Sequence, residues 1–326
     1  MGGKSIAVSL IGCLAALCLH LALPITACAQ AWLPRQGDGR VTLTYQNLHV
    51  RYHRNYLGQK TDQGPIRTHT LLTSFEYGLT NNLAIDADVA HVSSKFEGFV
   101  GPVPHGPADT GTYHPTFQDS RIALRYNALN RSFVVTPYIA VAFPTHDYET
   151  RGHSAAGRAL RELHMGVNVG RDLEAVLPGS YVHGRYSYAV VERVEGLNLN
   201  RSNAEGEFGY LATRRLSLRF LAAWQRTHGG LEIPIDSGHP HFHDIHDQAT
   251  RANFVRLGGG ATLSVTRSLD LYADYIRTVA GRNTHAPRGI AVGISWRFSR
   301  GYSPGKFFAQ NLPGRLSGVG QGVNRL

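Results

Sequence analysis

The sequence predicts an all-β fold, a transmembrane antiparallel up-and-down β-barrel of about twelve strands. Segments of roughly ten residues with alternating apolar and polar character repeat from residue 40 to residue 298. Short and long connections between these segments alternate along the chain, and aromatic residues cluster at the segment ends. Because successive side chains of a strand point to opposite faces, a lipid-facing barrel needs an apolar residue at every second position.

The last segment, 289–298, has the clearest alternation. Its apolar face carries Ile290, Val292, Ile294, Trp296 and Phe298, and its other face carries Gly289, Ala291, Gly293, Ser295 and Arg297. Trp and Phe at the end of such a strand suit the boundary between lipid and water. A strand of a soluble sandwich has the same local pattern, so the recurrence of the pattern along the chain decides between the two folds.

Composition excludes several other classes of protein. The 326 residues include 36 Gly, 15 Tyr and 13 Phe but only 17% charged residues, which is unlike a helical enzyme. Cys13, Cys18 and Cys28 all lie in the first thirty residues, so a disulfide framework in the barrel is not expected. The net charge of +10 would favour nucleic acid in a cytosolic chain. In an exported protein it favours phosphate-bearing lipid headgroups, and we expect no nucleic-acid partner.

The chain begins with a predicted secretory signal peptide, residues 1–29. Lys4 supplies the basic start, residues 6–23 the apolar core, and Ala27-Cys28-Ala29 the small-residue cleavage site. A retained membrane helix is one alternative, and lipidation is another, because residues 25–28 resemble a lipoprotein box with Cys28 as the acylated residue. We expect cleavage before Gln30. A short N-terminal segment (30–39), the barrel (40–298) and a flexible, basic, Gly- and Pro-rich periplasmic tail (299–326) would follow.

Each predicted strand has an apolar, outward face. The predicted strands cover 41–52, 68–78, 83–92, 117–126, 132–143, 160–170, 181–191, 205–212, 216–225, 253–265, 269–279 and 289–298. For the first nine the outward residues are, in order, Val41, Leu43 and Tyr45; Leu71, Phe75 and Tyr77; Leu83, Ile85, Ala87 and Val89; Ile122, Leu124 and Tyr126; Phe133, Val135, Ile139, Val141 and Phe143; Leu163, Met165, Val167 and Val169; Val182, Tyr186, Tyr188 and Val190; Phe208 and Tyr210; and Leu218, Phe220 and Trp224. Pro137 would delete a hydrogen bond inside its strand, so we expect a bulge there.

Loop lengths give the predicted orientation. Tight turns are predicted at 81–82, 129–131, 213–215 and 266–268, an intermediate connection at 171–179, and long polar loops at 53–66, 95–116, 144–157, 193–202, 227–251 and 280–288. Bacterial barrels have short periplasmic turns and long outer loops, so we expect the long loops outside. The predicted periplasmic aromatic girdle comprises Tyr77, Tyr126, Phe133, Tyr210, Trp296 and Phe298, and the outer girdle Phe143 and Trp224.

The inward positions carry charges of both signs. The predicted lumen-facing set is Glu76, Asp86, Asp88, Arg121, Arg125, Glu162, His164, Arg185, Glu205, Glu207, Arg219, Asp270, Asp274 and Arg297. Antiparallel pairing predicts four ion pairs: Arg125–Asp86, Arg121–Asp88, Arg219–Glu207 and Arg297–Asp270. Such pairs stabilise a sheet without any ligand, or they line a constriction that orients a permeating solute. The sequence leaves both interpretations open.

The loop 236–247 holds the densest cluster of metal-ligating residue types. Its histidines are His239, His241, His243 and His246, and neutral imidazoles bind Zn²⁺, Cu²⁺ or Ni²⁺. Histidine-rich tracts also bind metals adventitiously, so a solvated outer loop is the default expectation and no cofactor is predicted.

Motifs typical of enzymes are weak in this sequence. Residues 152–156 are one residue short of a nucleophile elbow, and His153 and Ser154 lie in a loop rather than in a strand–turn–helix. The Gly258-Gly259-Gly260 run lies within a strand, where it relieves crowding better than it would hold a phosphate. We therefore predict no enzymatic activity, although a barrel that hydrolyses lipid through an outward Ser–His pair is a third hypothesis.

One hairpin resembles a known family. Residues 118–126, Gln-Asp-Ser-Arg-Ile-Ala-Leu-Arg-Tyr, and 136–145, Thr-Pro-Tyr-Ile-Ala-Val-Ala-Phe-Pro-Thr, resemble an element of the MetA-pathway of phenol degradation family. That element pairs a Gly-Asp-led strand with a strand ending in Pro-Thr-Gly; Gln118 and His146 replace the two glycines here. The resemblance implies an outer-membrane channel that passes small hydrophobic or aromatic solutes passively.

Two further expectations concern function and partners. The alternative to a channel is an adhesion, anchoring or metal-capturing barrel that acts through its His-rich outer loop. Either barrel would reside in the bacterial outer membrane with lipids as partners. The sequence predicts neither the oligomeric state nor whether the segment 30–39 or a loop plugs the lumen.

Overall fold

A closed antiparallel barrel forms almost the whole structure. The computed structural model describes residues 31–98 and 106–299. Its strands are β1 (Asp38–Arg54), β2 (Lys60–Gly78), β3 (Leu83–Phe96), β4 (His114–Phe117), β5 (Ser120–Tyr126), β6 (Leu129–Asn130), β7 (Val134–Phe143), β8 (Glu162–Asp172), β9 (Ser180–Val191), β10 (Arg201–Leu211), β11 (Leu216–Thr227), β12 (Asn253–Ser264), β13 (Leu269–Arg282) and β14 (Thr284–Ser299). A 3₁₀ turn (Ile235–Gly238) and a helix (Phe242–Ala249) lie between β11 and β12.

Pairing between the first and last strands closes the sheet. Every long strand pairs with its neighbours in sequence, and β1 pairs with β14 from Asp38↔Ser299 to Arg54↔Thr284. The short β4 and β6 extend β5 at its two ends, β4 along β3 and β6 along β7, so the wall has twelve strands. Closure leaves the wall without an open edge, whose backbone N–H and C=O groups would find no partner in a bilayer. The predicted fold class and strand number are confirmed.

The outside of the barrel is an apolar belt. Residues of the predicted outward parity are exposed, including Leu43, Leu71, Ile122, Leu124, Ile139, Val141, Leu163, Met165, Tyr186, Leu218, Phe220, Leu271, Tyr275, Ile290, Val292 and Ile294. Their neighbours along each strand face the interior, where Thr42, Thr44 and Gln46 of β1 are buried. Apolar side chains outside and polar side chains inside are the reverse of the arrangement in a soluble protein. The belt is therefore the surface that lipid covers.

Aromatic rings stack at the end of the barrel where β1 begins and β14 ends. The rings of Phe75, Tyr77 and Phe298 are nearly parallel with centroids 6.2–6.3 Å apart, and Trp296 lies 5.5 Å from Phe298. Amphipathic and aromatic side chains settle at the headgroup level. The stack therefore marks the periplasmic rim, on the same side as the short turns.

Two of the predicted long loops are wrong. Most of 53–66 and of 280–288 is strand, so the β1–β2 hairpin turns only at 55–59 and the β13–β14 hairpin turns at Asn283, whose φ is +47°. These strand ends rise above the lipid, where outward residues need not be apolar. The alternation that identifies a membrane strand is lost there, and the polar sequence resembles a loop.

Pro137 lies beside the predicted irregularity, but the extra residue is on the facing strand. On β7, Tyr138 and Val135 are three residues apart; their partners Arg125 and Leu129 are four apart. The ladder is thus interrupted opposite the proline, which has no N–H to donate. On the other side, Pro137 stays in register with Val167 of β8.

Some predictions fall outside the described residues. The signal peptide, Cys28 and the tail beyond Ser299 belong to this group, so they stay predictions. Among the described residues, no helix has the length and apolar character needed to cross a membrane.

Lipid exposure of the belt leads to a stability prediction. Val292 is exposed halfway along the outer face of β14, so Val292→Arg places a guanidinium near the middle of the hydrocarbon. We expect the free energy of unfolding from vesicles to fall by about 2–4 kcal/mol. The control is Val265→Arg, because Val265 lies in the periplasmic turn after β12. We expect this variant to lower the free energy of unfolding by about 1 kcal/mol or less. Equal costs at the two sites, measured by denaturant titration, would contradict the lipid-facing assignment.

Candidate functional site

Arginine–carboxylate groups on the inner face of the wall join neighbouring strands. Arg125 of β5 contacts Asp86 of β3, with Nε 2.7 Å from Oδ2, and also pairs with Glu76 of β2. Arg121, four residues earlier on β5, lies 3.2 Å from Asp88. The side chain of Arg125 is 2% exposed, so the two carboxylates and their surroundings exclude water from it.

A tyrosine stands between two arginines deeper along the wall. The guanidinium of Arg185 lies 4.4 Å from the ring centroid of Tyr138 and its Nε donates to the phenol oxygen at 2.8 Å. Arg121 approaches the same ring at 5.8 Å, and Glu205 lies 3.9 Å from Arg185. Ring faces attract guanidinium groups, so Tyr138 holds both cations in place.

Nearer the outer end, Glu162 collects three basic groups. Its carboxylate contacts His164 at 2.9 Å, Arg158 at 3.6 Å and Arg201. Arg201 lies in a predicted loop, and Arg158 lies beyond a predicted strand, so alternation alone could not place either in the lumen. The loop residue Arg158 brings the connection between β7 and β8 to the wall.

Of the two ion pairs predicted among β10, β11, β13 and β14, one forms and the other does not. Arg297–Asp270 forms as predicted, at 3.0 Å, but Arg219 does not pair with Glu207. Its Nε and Nη2 donate to Asp274 at 2.8 and 2.6 Å, while Glu207 accepts from Tyr181. The prediction was wrong because Arg219 lies opposite Gly209 in the β10 register and its side chain turns toward β13 instead.

Gly260 allows that pair to form. It faces Asp274 across the β12–β13 pair, and a Cβ on Gly260 would lie 1.9 Å from Oδ1 of Asp274. A side chain there would displace the carboxylate that holds Arg219. The glycine run is therefore a site of close approach, as its position within a strand suggested.

The N-terminal segment crosses the periplasmic mouth. Gln36 and Gly37 contact Gly78 at the end of β2, while the carbonyl of Ala31 accepts from Thr136 Oγ1 at 2.6 Å on β7. Trp32 packs edge-on against Tyr181 of β9, with centroids 6.1 Å apart. Since β2 and β9 lie on opposite sides of a twelve-stranded ring, residues 31–37 span the opening.

At the outer end, the connection 144–161 folds into the lumen. Ala156 packs on Leu72, Ala90 and Val92, three inward residues of β2 and β3. Tyr148 fixes the loop by donating to Asp119 Oδ1 at 2.6 Å, and burial and this hydrogen bond raise the pKa of its phenol. The loop narrows the passage from outside.

The connection 228–252 caps the same opening. Phe242 and Ile245 of its helix are buried against inward residues of β9, and Gln248 Nε2 donates to Arg158 O at 2.7 Å. The expectation of a fully solvated loop is therefore wrong, because one face of the helix is apolar. The loop's sequence shows this pattern only when it is read with helical spacing.

The histidines of that loop are dispersed. His241 is exposed and His239 is half-buried, whereas His246 is buried, with Nε2 3.2 Å from Asp247. His241 pairs with Glu195 at 2.6 Å, and this hydrogen bond raises the pKa of its imidazole. Across the residues the structure describes, the one group of three close metal-ligating side chains is His53, His153 and His285.

Ser154 is buried and hydrogen-bonded to the loop that contains Ala108 and Asp109. Its hydroxyl contacts Ala108 O and Asp109 Oδ1, both at 2.8 Å, and the residue is 2% exposed. A serine that attacks membrane lipid must be reachable from the outer face of the barrel, and Ser154 is enclosed by loops.

Comparisons with known proteins give structural likeness only. No protein-family model matches the sequence, and no curated protein matches it. The COG4313 outer membrane channel from Pseudomonas putida F1 superimposes with a TM-score of 0.64 at 12% identity, over 84% of this chain and 100% of that one. The KdgM and NanC porins superimpose less well, with TM-scores of 0.43 and 0.44 at 9% and 10% identity, over 79% and 78% of this chain and 99% and 98% of theirs. The first of these similarities shows that the chain has an outer-membrane barrel fold.

The ion pairs Arg219–Asp274 and Arg297–Asp270 differ in burial and allow a matched test of stability. Side chains of Arg219 and Asp274 are 5% and 0% exposed, whereas those of Arg297 and Asp270 are 20% and 14% exposed. Asp274→Asn leaves a buried guanidinium without its carboxylate, so we expect a loss of about 3–5 kcal/mol in unfolding free energy. Asp270→Asn should cost about 1 kcal/mol or less, because water reaches Arg297. Equal losses in denaturant titrations would show that burial does not set the strength of these pairs.

Proposed function

We propose that this protein is an outer-membrane channel through which small hydrophobic or aromatic solutes cross by passive diffusion. The observation that carries the proposal is a bore whose charges compensate one another inside a wall that is apolar outside. Pairs such as Arg219–Asp274 and Arg125–Asp86 leave little net field along the passage. An uncharged solute does not need an electrostatic field to enter the passage, so the compensated charges do not hinder it.

Apolar and aromatic surfaces on the inner wall support the solute class. Val50, Ile66 and Phe96 form an inward apolar cluster near the outer end, and the rings of Tyr138 and Tyr272 carry stacked guanidinium groups deeper inside. A small aromatic solute can contact these apolar and aromatic surfaces, and it has no strongly bound hydration shell to lose. The likeness in fold to an outer membrane channel, and the resemblance of residues 118–145 to the phenol-degradation family, support the same proposal.

Narrowness is also consistent with this class of solute. A twelve-stranded barrel lies between filled eight-stranded barrels and open porins. Here the loop 144–161 occupies part of the outer half, and residues 31–37 cross the periplasmic mouth. Only small molecules would pass, and passage needs no energy-coupling segment.

Solute uptake by porin-depleted cells tests the proposal directly. Cells that express the protein should take up radiolabelled phenol and toluene faster than cells without it, whereas uptake of benzenesulfonate should not change. A protonophore should leave the difference intact, because diffusion down a gradient needs no proton gradient. No gain in uptake for any neutral solute, or a gain for benzenesulfonate alone, would contradict the proposal.

Cysteine labelling locates the passage. Ala156 packs inside the outer half of the lumen, so a bulky maleimide on Ala156→Cys should reduce phenol uptake toward that of non-expressing cells. The matched control is Val176→Cys, since Val176 is 83% exposed in the turn between β8 and β9. The chain's own cysteines all lie in the predicted leader. Unchanged uptake after complete labelling at position 156 would show that solutes take another route.

A further inference from the structure

Three histidines from distant parts of the sequence meet beneath the outer loops. His53 lies near the end of β1, His285 near the start of β14, and His153 in the connection 144–161. Their ligating nitrogens all lie within 4.8 Å of one another. The ring centroids of His53 are 4.3 Å from those of His285 and 5.0 Å from those of His153.

A β-bulge brings His53 into the interior. Inward residues of β1 are even-numbered as far as Val50, so an unbroken strand would turn residue 53 outward. The register shifts between Val50 and His53 against β14, and His53 becomes buried opposite His285. Bulges commonly re-aim a side chain in this manner.

Carboxylates fix the third histidine. Asp109 accepts from the backbone N–H of His153 at 2.8 Å and from that of Ser154 at 2.9 Å. Asp247 accepts from the N–H of Gly152 at 2.6 Å. The loop is therefore held on both sides of the imidazole, as a preorganised ligand requires.

The geometry and charge suit a divalent ion. Zinc binds imidazole nitrogens at about 2.0–2.1 Å in a tetrahedron, so its ligands are separated by roughly 3.4 Å, and small ring rotations close the remaining gap. Both carboxylates act electrostatically on His285, and Arg256 is the cation that opposes them. Two nearby negative charges offset a dication, and one guanidinium removes only part of this effect.

We propose that His53, His153 and His285 form a binding site for a divalent transition-metal ion of the zinc class. Three imidazoles supply three positions of a tetrahedron, and water takes the fourth. The ion joins the loop 144–161 to two strands of the wall and so fixes the outer constriction. None of the three ligands belongs to the His-rich loop 236–247, which contributes only the carboxylate of Asp247 beside the site.

Metal binding to the purified, chelator-treated protein tests this site. We expect one high-affinity Zn²⁺ per chain by equilibrium dialysis. His153→Ala and His285→Gln should each weaken binding more than tenfold, because each removes a ligand. The paired variant His239→Ala/His241→Ala is the control and should leave this affinity unchanged, since both histidines lie on the other loop and neither belongs to the cluster of three. Heat-modifiable gel mobility verifies that every variant forms the barrel.

A conservative replacement distinguishes ligation from packing. His153→Cys retains a ligand, so it should bind Co²⁺ with the visible spectrum of a tetrahedral site and a new thiolate-to-cobalt charge-transfer band. Binding that survives both His153→Ala and His285→Gln, or that disappears in the His239→Ala/His241→Ala control, would overturn the proposal. Failure of folded wild-type protein to bind Zn²⁺ would also overturn it, and would leave the solute-uptake results unaffected.

Discussion

The whole structure depends on the closure of one hydrogen-bonded ladder between β1 and β14. A bilayer offers no partner to a backbone N–H or C=O, so a spanning sheet is stable only when its two edges meet. Closure also gives every strand an inside and an outside. Thr42 and Thr44 then face the bore, and Leu43 faces lipid. The apolar belt on the outside and the polar residues on the inside both depend on this closure.

Inside the wall, opposite charges and aromatic rings pack beside small apolar clusters instead of one continuous apolar core. Arg125 with Glu76 and Asp86, and Arg219 with Asp274, connect neighbouring strands through buried ion pairs. Such pairs contribute little net stability, but loss of one partner is costly. Their opposite charges also compensate one another inside the bore. The same groups that hold the strands in register therefore define the class of solute that we propose for the passage.

Strand alternation predicts the membrane-spanning part of this fold well and the parts outside lipid poorly. Parity alone places Arg121 opposite Asp88 and Arg297 beside Asp270, because both pairs depend only on local register. Above the lipid the outward face need not be apolar, so the β1–β2 and β13–β14 extensions resemble loops. The histidine cluster could not be foreseen, because it requires a bulge before His53 and a loop that folds back into the barrel. The spacing of residues in the sequence does not reveal contacts between segments that lie a hundred or more residues apart.

The three tryptophans allow the most direct test of the central claim that lipid covers the apolar belt. Trp296 and Trp224 lie on the outer face, and Trp32 packs against Tyr181 within the periplasmic mouth. Variants that each keep a single tryptophan can be reconstituted in vesicles that contain brominated lipid. The structure predicts strong quenching of Trp224 and Trp296 and little quenching of Trp32. Quenching of Trp296 by aqueous iodide but not by brominated lipid would contradict the barrel's orientation toward lipid.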